Sequence, residues 1–191
     1  MAGKITGEFG AHGKRGGEAI SERLTELAGL GGPKGFHARV AYLTKSAAGQ
    51  AAMVAAGIDI NNKSTRATVL KWLADPEATT TATYRRKLDQ AYETYRRRNI
   101  ARSLKKRLNN NGRGTRVEVH PLNQGGVLPS RQRELEVRKI NIRPSHWDRL
   151  VDQWAAGDIE GMNSEWDEIA EDTLGSDWGA YTEVAAIGFG A

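Results

Sequence analysis

The stretch Gln50-Ala-Ala-Met-Val-Ala-Ala-Gly57-Ile58, followed by Thr68-Val-Leu-Lys-Trp72-Leu73, decides how this chain is read. Ala52 is small enough to let two helices touch beside Met53, Gly57 turns the chain, and Val69 and Trp72 pin the second helix so that its other face points outward. That is the logic of a helix-turn-helix, with a turn about six residues longer than the common form. A plain helical hairpin carries the same small residues, so both readings stand on this pattern. If the unit reads bases, the exposed candidates are Asn62, Lys63, Ser64, Thr65, Arg66 and Lys71, because Arg, Lys and Asn supply the usual base-edge and phosphate contacts.

Helical spacing extends to both sides. Phe36, Val40 and Leu43 share one face ahead of a helix over 48–56. A third helix takes Ser64 or Thr65 as N-cap, buries Val69, Trp72 and Leu73, and ends at Asp75-Pro76. The next candidate runs from Tyr84 to Leu108 and is halted by Asn109-Asn110-Asn111-Gly112. It carries Arg85, Arg86, Lys87, Arg96, Arg97, Arg98, Arg102, Lys105, Lys106 and Arg107 against only Asp89 and Glu93, an excess of +8. Like charges three or four residues apart on a helix repel, so an external polyanion is their natural compensation. Tyr84, Leu88, Ala91 and Tyr95 form one stripe and are expected in the core.

Toward the N-terminus, ten of the 22 glycines fall between Gly3 and Gly35. Residues 1–17 are expected to be a flexible Gly-rich arm. Residues 18–33 form a short amphipathic helix whose apolar face, Ile20, Leu24, Leu27 and Leu30, needs a partner in the next domain or a second copy. Residues 34–112 are expected to be a helical DNA-binding domain with its basic helix, and residues 113–191 an acidic α/β module. In that module Gly114 to His120 alternates as a strand, and Arg133 to Ile142 is strand-like but slips phase between Val137 and Ile140, so a bulge or two short pieces are expected. Pro144 opens a helix, Ser164 and Asp167 resemble a capping box for another, and Tyr181 to Phe189 is a last strand. The fold class expected is α+β, mainly α: a helix-turn-helix-like domain, a long basic helix and a small strand-helix-helix-strand module. Four tryptophans, Trp147, Trp154, Trp166 and Trp178, in a segment whose strands lack an obvious partner point to dimerisation or partner docking there. DNA reading by the strand Arg138 to Ile142, in the manner of a ribbon-helix-helix, is disfavoured because the second helix after it opens with the acidic Asn163-Ser-Glu-Trp-Asp-Glu168, where that fold brings a helix start to phosphate.

Charge agrees with this division. The chain of 191 residues has a net charge of +5, made of 0 over residues 1–33, +14 over 34–140 and −9 over 141–191. A basic block of this size concentrates polyanions, and nucleic acid is the commonest in a cell. Cysteine is absent, which excludes disulfides and thiolate zinc sites. No apolar run approaches the ~18–20 residues of a membrane span, and no signal-peptide pattern opens the chain. A cytoplasmic, nucleoid-associated protein without a membrane partner is expected. His12, His37, His120 and His146 lack ligand spacing and read as surface residues, and the carboxylates of Glu165 to Asp172 read as a solvated helix face. No phosphate-binding loop and no nucleophile and base pair is visible, so no cofactor, metal or enzymatic activity is expected.

In order, the pieces are the helix-turn-helix ending in Thr68-Val-Leu-Lys-Trp72, the basic helix from Tyr-Arg-Arg-Lys to Leu-Lys-Lys-Arg-Leu, the strand Gly-Arg-Gly-Thr-Arg-Val-Glu-Val, and the acidic Trp147-Asp-Arg-Leu-Val-Asp-Gln-Trp-Ala-Ala-Gly157 helix. This layout, over about residues 36–180, resembles the telomere-associated terminal proteins of linear actinomycete chromosomes and plasmids. The resemblance implies a protein that binds DNA ends and whose hydroxyl accepts the first nucleotide from a DNA polymerase, with that polymerase or a telomere-binding protein as partner. It places the acceptor near the end of the basic region, where Thr115 and then Ser103 are the nearest hydroxyls. Two other classes remain open: a sequence-specific plasmid or phage regulator, and a nucleic-acid-coating or scaffold protein that oligomerises.

Overall fold

The computed structural model of the chain describes residues 11–29 and 35–190, and they fold as two compact units, one over residues 35–100 and one that joins 11–29 to 101–190. Helix predominates, at 62% of the described residues, beside one small antiparallel sheet.

Numbered from the N-terminus, α1 (Gly16–Leu27) belongs to the second unit, α2 (Phe36–Thr44), α3 (Ala47–Ala55) and α4 (Lys63–Ala74) to the first, and α5 (Ala82–Asn109) contributes residues 82–100 to the first and 101–109 to the second. Between α2 and α3, Ser46 caps the second helix by accepting from the Gly49 amide at 3.0 Å, and its hydroxyl also meets the Tyr95 hydroxyl at 2.7 Å. Gly49 has no room for a side chain, since a Cβ there would overlap the Leu43 carbonyl. Gly57 then takes φ +80, a left-handed conformation that suits glycine, and the chain leaves α3 for α4. Met53, Ile58, Val69 and Trp72 close on Val40, Leu43, Leu88 and Tyr92 as a continuous core. Phe36 and Tyr84 both meet Trp72 edge-on, at 5.3 and 5.5 Å. The stripe on α5 is core as expected, with Tyr92 in it as well.

Asn62, not Ser64 or Thr65, caps α4. Its Oδ1 accepts from the Ser64 and Thr65 amides at 2.9 and 3.3 Å, which places both hydroxyl residues inside the first turn. Asparagine at this position satisfies two otherwise orphaned donors at once.

The second unit holds the sheet, in the order β1-β4-β2-β3 with β1 (Lys14–Arg15), β2 (Thr115–Pro121), β3 (Arg138–Ile142) and β4 (Glu183–Phe189). Every pairing is antiparallel, with Val117 opposite Ile140 on one side of β2 and Val119 opposite Ile187 on the other. Helices α6 (Pro144–Ala156) and α7 (Ile159–Leu174) follow β3, and α1 lies against α7 and β4. Asn110, Asn111 and Gly112 all have positive φ, the turn that stops α5.

Four expectations are corrected here. Residues 11–17, expected as part of a flexible arm, are ordered: β1 pairs with β4, Gly16 packs against Trp166, and Gly17 lies against the backbone of Met162 and Asn163. The glycines are there for close approach, not for freedom, and residues 1–10 lie outside the described residues. The apolar face of α1 finds its partner within this unit, and the end of its expected span, 30–33, also lies outside them. Helix α7 starts five residues before the expected capping box, because Gly157 at φ 76 ends α6 and Asp158 at once caps α7 through the Gly161 amide at 2.9 Å; Ser164 donates to Glu160 O inside the helix. Strand β3 starts at Arg138, since the Gln124 side chain pairs with both the amide and the carbonyl of Arg133, each at 2.8 Å, as a neighbouring strand otherwise does.

Three of this unit's four tryptophans are internal, and Trp178 is half-buried. Trp147, Trp154 and Trp166 are wholly buried. The Trp166 indole donates to Tyr181 O at 2.9 Å and the Trp154 indole to the Thr25 hydroxyl at 3.0 Å. Their burial, and the pairing of β2 with both β3 and β4, removes the argument for self-association that rested on unpaired strands and tryptophans.

Candidate nucleic-acid interface

Helix α4 turns Val69 and Trp72 inward, and Lys63, Arg66 and Lys71 stand exposed on its other side. None of the three forms an ion pair among the described residues. Ser64 is exposed and Thr65 half-buried, while Asn62 spends its side-chain oxygen on the cap.

Along α5 the cations divide by exposure. Arg85 and Arg86 are exposed at the start of the helix, with the Arg85 guanidinium 6.0 Å from the Phe36 ring. Arg96 and Arg97 are half-buried, and Arg96 reaches the Tyr92 hydroxyl at 3.3 Å. Lys87 is half-buried and donates to Gly57 O at 3.0 Å, holding the turn before α4. Lys105 pairs with Asp152 at 2.7 Å. Arg98, Arg102, Lys106 and Arg107, like Arg85 and Arg86, are exposed and without an ion pair among the described residues. Arg98, Arg102 and Lys106 are spaced four apart on one face, the arrangement in which like charges repel most directly on a helix. Asn99 and Tyr42 meet at 3.1 Å, so the turn beside Arg98 is anchored to the core of its unit.

The two hydroxyls expected as candidate acceptors differ. Ser103 is exposed on α5, between Arg102 and Arg107. Thr115 opens β2 half-buried, and its hydroxyl donates to Leu108 O at 2.7 Å. Gly114, at φ +74, is pressed so closely on the Ile142 carbonyl that a Cβ would overlap it. The glycine beside Thr115 therefore serves packing within the chain and does not leave the backbone open to a partner.

A second cluster was not legible as a site. On α6, His146 and Arg149 face Glu165 and Glu168 on α7. Glu165 is only 4% exposed; it accepts from His146 Nδ1 at 2.6 Å and from Arg149 Nε at 2.6 Å. Arg149 also lies 3.5 Å from Glu168. His146 is thus no surface residue, and Glu165 no part of a solvated face. One carboxylate oxygen of Glu165 serves each partner, and the guanidinium is held charged, its acidity lowered first by the hydrogen bond to Glu165. His146, Glu165 and Glu168 could each offer one ligand atom within 4.8 Å to a metal ion. Arg149 already occupies that negative ground with its own positive charge, so the cluster reads as a clamp between two helices. The sequence signal was the matched spacing of three: a basic pair on one helix and an acidic pair on the next.

Comparison of the chain with known protein families, curated proteins and solved structures finds no match. Among the described residues, no helix is long and apolar enough to cross a membrane.

Proposed function

We propose that the protein binds DNA, presenting α4 to a groove and the exposed cations of α5 to phosphates. One observation carries the reading: Lys63, Arg66 and Lys71 on α4 and Arg98, Arg102 and Lys106 on α5 are exposed and form no ion pair among the described residues, although the chain has many carboxylates. A folded chain with acidic side chains to spare that leaves such rows uncompensated gains most when a polyanion supplies the counter-charge and releases its own counterions. Direct readout belongs to Arg66 and Lys63 at the first turn of α4, the part of a recognition helix that meets base edges.

Within this reading, the exposure of Ser103 beside Arg102 and Arg107 favours the terminal-protein form. A hydroxyl among phosphate-binding side chains can attack the α-phosphorus of a deoxynucleoside triphosphate held by a DNA polymerase. The Oγ–P bond forms as the bond to the β-phosphate breaks and pyrophosphate leaves, and the polymerase supplies both the metal ions and the general base that takes the hydroxyl proton. The chain contributes the nucleophile and the grip on the template, and it is inert alone.

Binding of the full chain to blunt duplex, single-stranded and overhang-bearing DNA, measured by fluorescence anisotropy across salt, tests the proposal. Affinity that falls steeply with salt supports it, and affinity independent of salt refutes it. Preference for ends supports the terminal-protein form, preference for one duplex sequence a regulator, and length-dependent cooperativity a coating protein that oligomerises. Nucleotide labelling in the presence of a polymerase, lost in Ser103→Ala and kept in Thr115→Val, identifies the acceptor.

A further inference from the structure

We infer that the cleft between the end of α2 and α4 binds a small amphipathic organic anion, a carboxylate with an apolar body. The cleft is open to solvent and offers about 460 Å³, within the range of small-molecule sites. Its floor is Ile60, Val69 and Leu73, and its rim carries Lys45, Gln50 and Arg66. Three features converge on an anion with an apolar tail. No residue lining the cleft is acidic, while two are cationic, so its electrostatic sign is unbalanced. Lys45 and Arg66 are exposed and form no ion pair among the described residues, so neither is consumed by the fold. Leu70, also lining the cleft, is 57% exposed on α4, an apolar side chain left in water beside those cations.

A neutral apolar molecule would leave the two charges unsatisfied. A bare inorganic anion would leave Leu70 and the floor wet. An amphipathic carboxylate answers both, its head between Lys45 and Arg66 and its body over Val69 and Leu73. The Gln50 amide, tied by its Nε2 to Thr44 O at 3.0 Å, keeps the rim in place. Binding of the anion does not depend on the DNA reading. A consequence that rests on that reading is competition, since Arg66 serves both.

The test is a methyl and amide NMR titration of the full chain with sodium octanoate, with 1-octanol and sodium acetate as controls. Saturable shifts at Val69, Leu70 and Leu73, with an affinity at least tenfold above that of either control, are expected. The double variant Lys45→Gln/Arg66→Gln is expected to weaken octanoate binding at least tenfold with its remote resonances unchanged, since neither side chain supports the fold. Absence of saturation, equal binding of octanol, or unchanged binding by the double variant overturns the inference. Competition is read separately, by displacing labelled DNA with octanoate. Octanoate that binds the cleft while DNA never binds refutes the DNA reading alone, and DNA that binds while octanoate does not refutes the cleft alone.

Discussion

Arg66 is the side chain on which the most chemistry converges, and its substitution separates specific from general binding. If it makes one bidentate base contact, Arg66→Ala is expected to cost about 1–3 kcal/mol against the preferred sequence and little against others, measured by competition with unrelated duplex. At Gly17 the expectation concerns the fold. A Cβ there overlaps the backbone of Met162 and Asn163, and backbone cannot swing aside as a side chain can. Gly17→Ala is therefore expected to destabilise the unit by about 1–3 kcal/mol in urea unfolding, as overpacking does, whereas a glycine in a flexible arm would tolerate it. Thr115→Val removes the hydroxyl that donates to Leu108 O and is expected to cost about 0.5–1.5 kcal/mol whatever the protein does with DNA. Glu118 responds to pH. Its hydrogen bond with Lys139, at 2.9 Å, holds its carboxyl below the ordinary 4.5. Folding thus favours the ionised form: the stabilisation is full above the unfolded-chain value and is lost as pH falls through the lowered one. Acid unfolding of Glu118→Gln is expected to lack that component, which parallel denaturation curves below pH 4.5 reveal.

At the scale of elements, α5 is the clearest case. Over 28 residues, about 42 Å at 1.5 Å per residue, it carries core side chains on one stripe and cations elsewhere. Arg98→Ala, Arg102→Ala and Lys106→Ala are each expected to lower the slope of log affinity against log salt by roughly 0.9 on duplex DNA, with little change in sequence preference. Lys105→Ala is expected to change it least, because Asp152 already neutralises that ammonium. An equal effect at all four positions would show that the ion pair opens on binding. The pairing of α6 with α7 works differently: buried Glu165 is shared by His146 and Arg149, and removing either leaves one of its carboxylate oxygens without its partner.

At the scale of the whole chain, the β2 strand lies between β3 and β4, so the sheet depends on segments far apart in sequence. Deleting residues 133–191 takes away both neighbours of β2 and the partners of α1, and amide exchange over 11–29 and 115–121 is expected to lose its protection. The helices, the mainly α class with a small sheet, the stripe on α5 and the turn at Asn110 to Gly112 were all legible in the sequence, because periodicity, glycine placement and turn residues are local and act through the nearest few positions. Local signals also erred in a consistent way. Ser64 and Thr65 looked like caps because they are capping residues, but Asn62 stands one turn-start earlier and takes the same amides. Glycines 13, 16 and 17 looked like a flexible arm, since nothing nearby in the sequence shows that Leu122, Trp166 and the Met162 backbone will be pressed against them. Burial of Glu165 against His146 and Arg149, the consumption of the Thr115 hydroxyl, and the choice of which cations on α4 and α5 face water depend on side chains brought together from distant positions. Those the tertiary structure alone decided, because burial and partnership are properties of the packed chain, whereas helical period and turn chemistry belong to the residues themselves.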